Sequence, residues 1–361
     1  MLEKLREELL EVDRQILEKV AARLEVVSKI GKCKREQQMA LRSFSREKKV
    51  LSHALMRAAE LGIPASLAKS VIDRLVEHAL EIQERDWVQE SQGGSGKTAL
   101  VIGGCGKIGG WFVHFLSTQG FDVTVADPSV CEATKAKVSD WTTLELAFDV
   151  IVVATPLGKS ADVLTALAEQ APRGLVFDVA SLKGPVKDAL NLLNRSGCRV
   201  TSVHPMFGPD TTMLSGRHVI FMNVGNAPAH QEARALFEPT MATCVDMTID
   251  EHDELISYVL GLSHLLNISF FTALKNSGEQ AERLRSMSST SFNAQLKVAQ
   301  KISLENPYLY YEIQRLNEYR HGPQRALLKS LNQIIAAIET GDEAAFVQIM
   351  EQGKAYLQSM V

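Results

Sequence analysis

A short apolar run, Ala99–Ile102, leads directly into Gly103-Gly104-Cys105-Gly106-Lys107-Ile108-Gly109-Gly110, after which the chain turns apolar again at Trp111-Phe112-Val113. Five glycines in these eight residues exclude a regular strand or helix there, because each costs backbone entropy and offers no side chain to pack. Gly104, Gly106 and Gly109 stand as G-x-G-x-x-G, the order that turns a strand tightly into a helix. From Thr98 onward the same texture repeats. Ala99–Ile102, Asp122–Ala126, Val150–Ala154, Leu175–Val179, Arg199–Val203 and His218–Met222 read as strands separated by helical stretches. Such alternation predicts a mostly parallel sheet covered by helices.

Both ends of the chain differ from this centre. Leu2, Leu5, Leu9, Val12, Ile16, Val20, Leu24, Val27 and Ile30 recur at steps of three and four, the apolar stripe of one long helix. At 1.5 Å per residue that helix is about 45 Å long, and it needs other helices or a second copy to cover its stripe. Gly31 falls inside the pattern and blurs its end. A second helix is predicted over Arg46–Glu60 and a third from a Ser66 cap to Trp87, with Leu61-Gly62-Ile63-Pro64 between them. Ser91–Gly96 reads as a flexible Gly/Ser linker. Its GGSGKT run is not a phosphate-binding loop, since Ser91 stands where that motif requires glycine. Beyond Asp250 strands cease and helical patterns resume, as in Glu254–Leu274 and Arg325–Glu339. The expected layout of the 361 residues is an all-α domain over 1–90, a linker over 91–97, a Rossmann-type α/β domain over 98–248 and an all-α domain over 249–361.

The glycine loop implies a dinucleotide. In this context its backbone approaches a pyrophosphate closely, and the following helix presents its positive end. Gly104, Gly106, Lys107, Ile108 and Gly109 form that cradle. Asp127, 23 residues beyond Gly104, stands where a carboxylate accepts the adenosine ribose hydroxyls and repels a 2′-phosphate, which favours NAD. Read alone, Asp127 before Pro128 is equally a strand-end turn residue.

A net charge of −4 gives no basic surplus, so nucleic acid and anionic membrane are excluded as expected partners. No signal peptide and no span of about 20 apolar residues is read, and the expected location is the cytoplasm. The five cysteines are scattered, so neither a metal site nor a disulfide framework is expected.

Two sets of strings carry the chemistry. The first is Val203-His204-Pro205-Met206-Phe207-Gly208-Pro209 after a strand, with Asp178-Val179-Ala180-Ser181-Leu182-Lys183 upstream. Glu251-His252-Asp253 and Gly261-Leu262-Ser263-His264 follow downstream. Asp253 and His264 are eleven residues apart, close to three α-helical turns and thus on one helix face. These strings resemble the prephenate dehydrogenase family from about Thr98 onward. The resemblance implies oxidative decarboxylation of prephenate to 4-hydroxyphenylpyruvate with hydride transfer to NAD⁺. His204 would accept a hydrogen bond from the ring hydroxyl, Ser181 would contact that hydroxyl or the histidine, and Asp253 and His264 would bind substrate or support the site. His252 reads as helix-start polarity. In Ser288-Ser289-Thr290-Ser291-Phe292-Asn293, Asn293 replaces the arginine with which many members grip a substrate carboxylate. It brings neither charge nor fork, so Lys297, Arg283 or Arg285 takes that role or the substrate differs. Arogenate or an amino-substituted prephenate are the alternatives.

The second set lies in the first 90 residues: Leu5-Arg6, Val12-Asp13, Ala22-Arg23-Leu24, Ile30-Gly31-Lys32-Cys33-Lys34 and Arg46-Glu47. Basic residues on a long helix are commonly its solvated face. The series nevertheless resembles the all-helical chorismate mutases, whose pericyclic reaction needs a clamp on two carboxylates and donors to the ether oxygen. The resemblance implies that Arg6, Arg23 and Arg46 clamp carboxylates, Lys34 and Gln83 reach the ether oxygen, and Glu47 binds the hydroxyl of chorismate. It also implies a homodimer that exchanges the first helix and sends one arginine into the partner's site. Ser43 and Ala79 depart from the acidic and hydroxyl residues of some relatives. The other reading makes residues 1–90 a non-catalytic dimerisation or effector module.

Overall fold

The computed structural model describes every residue except Gln38, residues 132–135 and Val361. Its contacts gather into two compact units, the first made of residues 1–155, 162–180 and 189–247, the second of 156–161, 181–188 and 248–361.

The first unit opens with three helices, α1 (Leu2–Glu36), α2 (Phe44–Glu60) and α3 (Ala65–Ser91). The apolar stripe sustains α1 for 35 residues, yet in the single chain Leu2, Leu5, Leu9, Val12 and Ile16 stay exposed. Gly31 does not end the helix. It is buried within it, at a point where a Cβ would stand 3.0 Å from Gln83 Cγ of α3. α2 begins two residues earlier than the pattern suggests, because Ser43 caps it by accepting the Arg46 N–H, which satisfies one of the donors a helix start leaves open. α3 starts behind Pro64, not behind a Ser66 cap. The Gly/Ser stretch after it is no loose tether. Gln92 takes a left-handed φ of 42°, the Gly94 N–H donates to Gln119 O at 3.0 Å, and the Phe121 ring fills the space a Cβ on Gly94 would need.

The sheet follows through β1 (Thr98–Ile102), α4 (Lys107–Thr118), β2 (Asp122–Ala126), β3 (Ala136–Val138), β4 (Val150–Val153), α5 (Leu157–Gln170), β5 (Leu175–Asp178), α6 (Lys187–Arg195), β6 (Arg199–Pro205), β7 (His218–Met222), α7 (Ala227–Ala235) and β8 (Thr243–Met247). Strand order is β3-β2-β1-β4-β5-β6-β7-β8, parallel except at β6–β7. Two strands escape the sequence pattern: β3 has only three residues, and β8 is at most half-buried with an exposed Asp246. The core beneath is aromatic. Phe112, Phe177, Phe221 and Phe237 are fully buried, with ring centroids of successive pairs 5.6–6.4 Å apart, and burial of each contributes roughly 1.5–3 kcal/mol.

The second unit is helical, with α8 (Ile249–Ile256), a π-helical segment (Ser257–Leu262), α9 (Ser263–Asn276), α10 (Ala281–Ser286), α11 (Thr290–Ser303), α12 (Pro307–Leu316), α13 (His321–Glu339) and α14 (Glu343–Gln358). A capping box between Thr248 and Glu251 starts α8, each side chain satisfying the other's backbone donor. Within the π segment the Gly261 carbonyl accepts Gln314 Nε2 at 2.7 Å. Contrary to the sequence expectation, Ile249–Asn276 is long and apolar enough to cross a membrane by length and composition. It also buries His252, Asp253, His264 and Asn267, polar groups that mark a functional face.

Candidate active sites

Lys34 and Gln83, 49 residues apart, meet because Gly31 lets α1 and α3 approach one turn earlier. Lys34 Nζ donates to Leu41 O at 2.6 Å and to Gln83 Oε1 at 3.3 Å. An ammonium carries three donors, so two are spent on the protein and the third remains for a ligand oxygen. The bond to Oε1 also turns the Gln83 NH₂ group outward as a second donor. Burial pulls the Lys34 pKa down, and the negative charge of Glu47 pushes it back up, which brings Glu47 of α2 into the same cluster. Arg23 donates Nη1 to Leu75 O at 2.7 Å, and its pKa is lowered by burial. Arg46 is exposed in the first turn of α2. Arg6 does not join the cluster in the single chain. It lies exposed on α1, paired with Glu3 at 2.6 Å.

The glycine loop has the shape a dinucleotide requires. A Cβ on Gly109 would collide with the Gly103 carbonyl, one on Gly104 would stand 2.9 Å from both Val125 methyls, and Gly106 is the N-cap of α4 with no side chain in front of the helix. Lys107 and Ile108 open that helix, whose positive end faces the loop. Asp127 follows β2 and accepts the Cys105 N–H at 3.0 Å and the Ser129 N–H at 2.8 Å. These two bonds aim its carboxylate while leaving lone pairs for ribose hydroxyls. The residues therefore fit NAD. One expectation is overturned here: Cys105 and Cys131 are joined in a disulfide. Their 26-residue separation gave no motif, but the Gly loop and the turn after β2 both end at the same edge of the parallel pair.

His204 lies in β6 opposite Ile220 of β7 and is 4% exposed. Two residues before it, Ser202 Oγ donates to Asp178 Oδ1 at 2.6 Å, and the Ala180 N–H donates to Oδ2 of the same carboxylate at 3.0 Å. The ends of β5 and β6 are thereby fixed to each other.

In the second unit Ser181 is half-buried and Lys183 fully buried. Asp253 Oδ1 accepts the Lys183 N–H at 2.9 Å and lies 2.7 Å from His252 Nδ1, while Oδ2 accepts the Gly184 N–H at 2.6 Å. Burial alone would raise the Asp253 pKa. The His252 bond and the two amides overcome it, and the pKa falls. Both oxygens are thus taken up by the protein, so Asp253 supports the 181–188 segment and is not a substrate ligand. His252, read as helix-start polarity, is instead fully buried as its partner. The π segment between Asp253 and His264 bonds i to i+5, so their eleven-residue spacing does not keep them on one α-helical face. His264 turns to Tyr310, with ring centroids 4.2 Å apart. Its Nδ1 is buried without a hydrogen-bond partner, and burial lowers its pKa to about 4. Asn293 is exposed in the first turn of α11. Of the cations expected to replace an arginine there, Arg283 is paired with Glu279 at 3.1 Å, and Arg285 and Lys297 are exposed.

Sequence reasoning missed Arg42, which grips Glu47 through Nε at 3.0 Å and Nη2 at 3.1 Å. Nothing in its local pattern separates it from a solvated arginine. His252 and Lys183 carried a signal only in their adjacency to Asp253 and Ser181.

Three family models match the chain: chorismate mutase type II over residues 5–84, the prephenate dehydrogenase nucleotide-binding domain over 115–242, and the prephenate dehydrogenase dimerization domain over 248–352. The T-protein of Enterobacter agglomerans is 24% identical over 343 residues, 95% of this chain and 89% of that protein. The 4-amino-4-deoxyprephenate dehydrogenase of Streptomyces pristinaespiralis is 26% identical over 269 residues, 72% of this chain and 90% of the relative. Prephenate dehydrogenase from A. aeolicus, solved with hydroxyphenyl propionate and NAD+, aligns at a TM-score of 0.62 and 18% identity over 73% of this chain and 98% of that one, a likeness of fold.

Proposed function

Since the chain belongs to the bifunctional chorismate mutase/prephenate dehydrogenases of tyrosine biosynthesis, we propose how its own residues divide the two reactions. The observation that carries the mutase half is the meeting of Lys34, Gln83 and Glu47 in one helical cluster. Chorismate is held compactly by arginine clamps, Arg23 and Arg46 from one chain and Arg6 from a second copy. The third Lys34 N–H and the Gln83 NH₂ donate to the ether oxygen as negative charge builds on it, and Glu47 takes the hydroxyl. No proton is moved, so the site works by orientation and electrostatics alone. The exposed Leu2, Leu5, Leu9, Val12 and Ile16 around Arg6 support a homodimer in which α1 enters the partner.

For the dehydrogenase, NAD⁺ supplies the acceptor for the hydride. Gly104, Gly106, Lys107, Ile108 and Gly109 bind its pyrophosphate, and Asp127 binds its ribose. His204 accepts the hydrogen bond of the prephenate ring hydroxyl and drives hydride departure from the same carbon, with loss of carbon dioxide and aromatisation to 4-hydroxyphenylpyruvate. Ser181 provides the supporting contact its motif implies. Asp253, with His252, holds the Lys183–Gly184 backbone. His264 is kept neutral by burial and lines the substrate side. We place the enzyme in the cytoplasm.

Adding chorismate and NAD⁺ to the protein tests both halves at once. A steady rise in NADH absorbance is expected, since chorismate must first become prephenate. A rise on prephenate alone would confine catalysis to the dehydrogenase and refute the mutase assignment, and Lys34→Ala should abolish the chorismate response only. One observation favours a second substrate. Asn293 brings no positive charge where many relatives carry arginine, which suits arogenate or an amino-substituted prephenate. A higher kcat/KM on either than on prephenate would replace prephenate as the substrate.

A further inference from the structure

The connection from β6 to β7 leaves two residues after His204 and returns at His218. It is held from two sides. The Trp111 indole N–H, on the glycine-loop helix α4, donates to Thr211 O at 2.9 Å, and the same ring packs on Phe207 with centroids 4.9 Å apart. At its far end the connection is gripped by the mutase helices. Glu84, next to Gln83 on α3 and 4% exposed, accepts the Leu214 N–H at 2.7 Å and the Met241 N–H at 2.5 Å. Burial pushes the Glu84 pKa up, and the amides of Met241, Leu214 and Ser215 pull it back. Arg42 completes the grip: while two of its nitrogens hold Glu47, Nη1 donates to Ser215 Oγ at 2.8 Å.

We propose that Arg42 is a positioning residue of the mutase, aligned by Ser215 of the dehydrogenase connection. Glu47 is thereby oriented from outside its own helical segment, and the two activities share a mechanical joint at residues 214–215. A planar guanidinium spends its fork on the carboxylate and its remaining edge on the hydroxyl, so loss of the hydroxyl frees the fork to rotate. A chorismate hydroxyl arriving at Glu47 shares that carboxylate with Arg42, and its binding is transmitted to the connection that begins beside His204. The inference rests on the assignment of Glu47 to the mutase site.

The test is mutase kinetics, followed as chorismate disappearance in the full chain, for Ser215→Ala, Ser215→Thr and Glu47→Ala. Ser215→Ala should raise KM about five- to tenfold with kcat within about twofold, the scale expected when one of three bonds orienting a charged group is lost. Ser215→Thr, which restores the hydroxyl, should return KM to within about twofold of the parent. Equal KM for Ser215→Ala and the parent, with Glu47→Ala impaired, would overturn the joint and leave the mutase assignment standing. Full activity in Glu47→Ala would overturn the assignment and the joint with it. A parallel fall of kcat and KM-independent loss of activity in both Ser215 variants would mark a merely structural role and equally refute positioning.

Discussion

Replacing Asp253 by asparagine should release the segment 181–188 without changing its shape. The carboxylate receives the Lys183 and Gly184 amides and faces His252 Nδ1 at 2.6–2.9 Å, in a place where only 1% of the residue is exposed. Hydrogen bonds to a charged group contribute about 1.5–3 kcal/mol each, against about 0.5–1.5 for neutral pairs. An asparagine keeps one acceptor oxygen and points an NH₂ at the place of the other. Three bonds weakened by about 1 kcal/mol each give about 3 kcal/mol, or about 150-fold in the local opening equilibrium. Amide hydrogen exchange at Lys183 and Gly184 reads this directly, and protection should fall by about two orders of magnitude in Asp253→Asn. The same loss is expected on acidification. The folded-state pKa of Asp253 is lowered, so its contribution is complete above the unfolded carboxylate value of about 3.9 and disappears as pH falls through the lower folded value. Protection unchanged within about threefold, in the variant at neutral pH, would refute the argument that these amides depend on the carboxylate.

Three other outcomes follow from the geometry. His264, with a pKa lowered to about 4 by burial, should remain a neutral imidazole from pH 8 down to about 5 by NMR titration. The stability it contributes is present above its unfolded value of about 6.5 and lost as pH falls through about 4, so a midpoint near 6.5 would show the ring to be solvated. Gly31→Ala should stabilise α1 by about 0.5–1 kcal/mol through helix propensity, yet lower mutase kcat/KM about tenfold, because the new Cβ meets Gln83 Cγ at 3.0 Å. Undiminished chorismate turnover in that variant would mean that Gln83 tolerates displacement. Finally, denatured, unreduced protein should show three reactive thiols, Cys33, Cys198 and Cys244, and five after reduction. Five before reduction would mean that Cys105 and Cys131 are not joined in solution.

Some of this protein is determined by its linear order. Gly104, Gly106 and Gly109 between a strand and a helix dictate the turn, because no other residue permits that backbone path. The alternation after Thr98 dictates six of the strands, and the stripe from Leu2 to Ile30 dictates a helix with a face to cover. The series Arg23, Lys34, Glu47 and Gln83, and the string around His204, carry chemistry that is legible because it resides in residue type and spacing. Other features are decided only by the folded chain. Short or half-exposed strands such as β3 and β8 have no pattern of their own and form by pairing with a neighbour already in place. Gly94 looks like linker until Phe121 closes over it. The π segment at 257–262 shifts His264 away from the face that α-helical counting assigns it, since helix pitch depends on packing as well as composition. Arg42, Glu84 and Ser215 are ordinary polar residues in sequence. They acquire a role because partners 130 to 173 positions away arrive beside them, and separations of that size are set by tertiary structure alone.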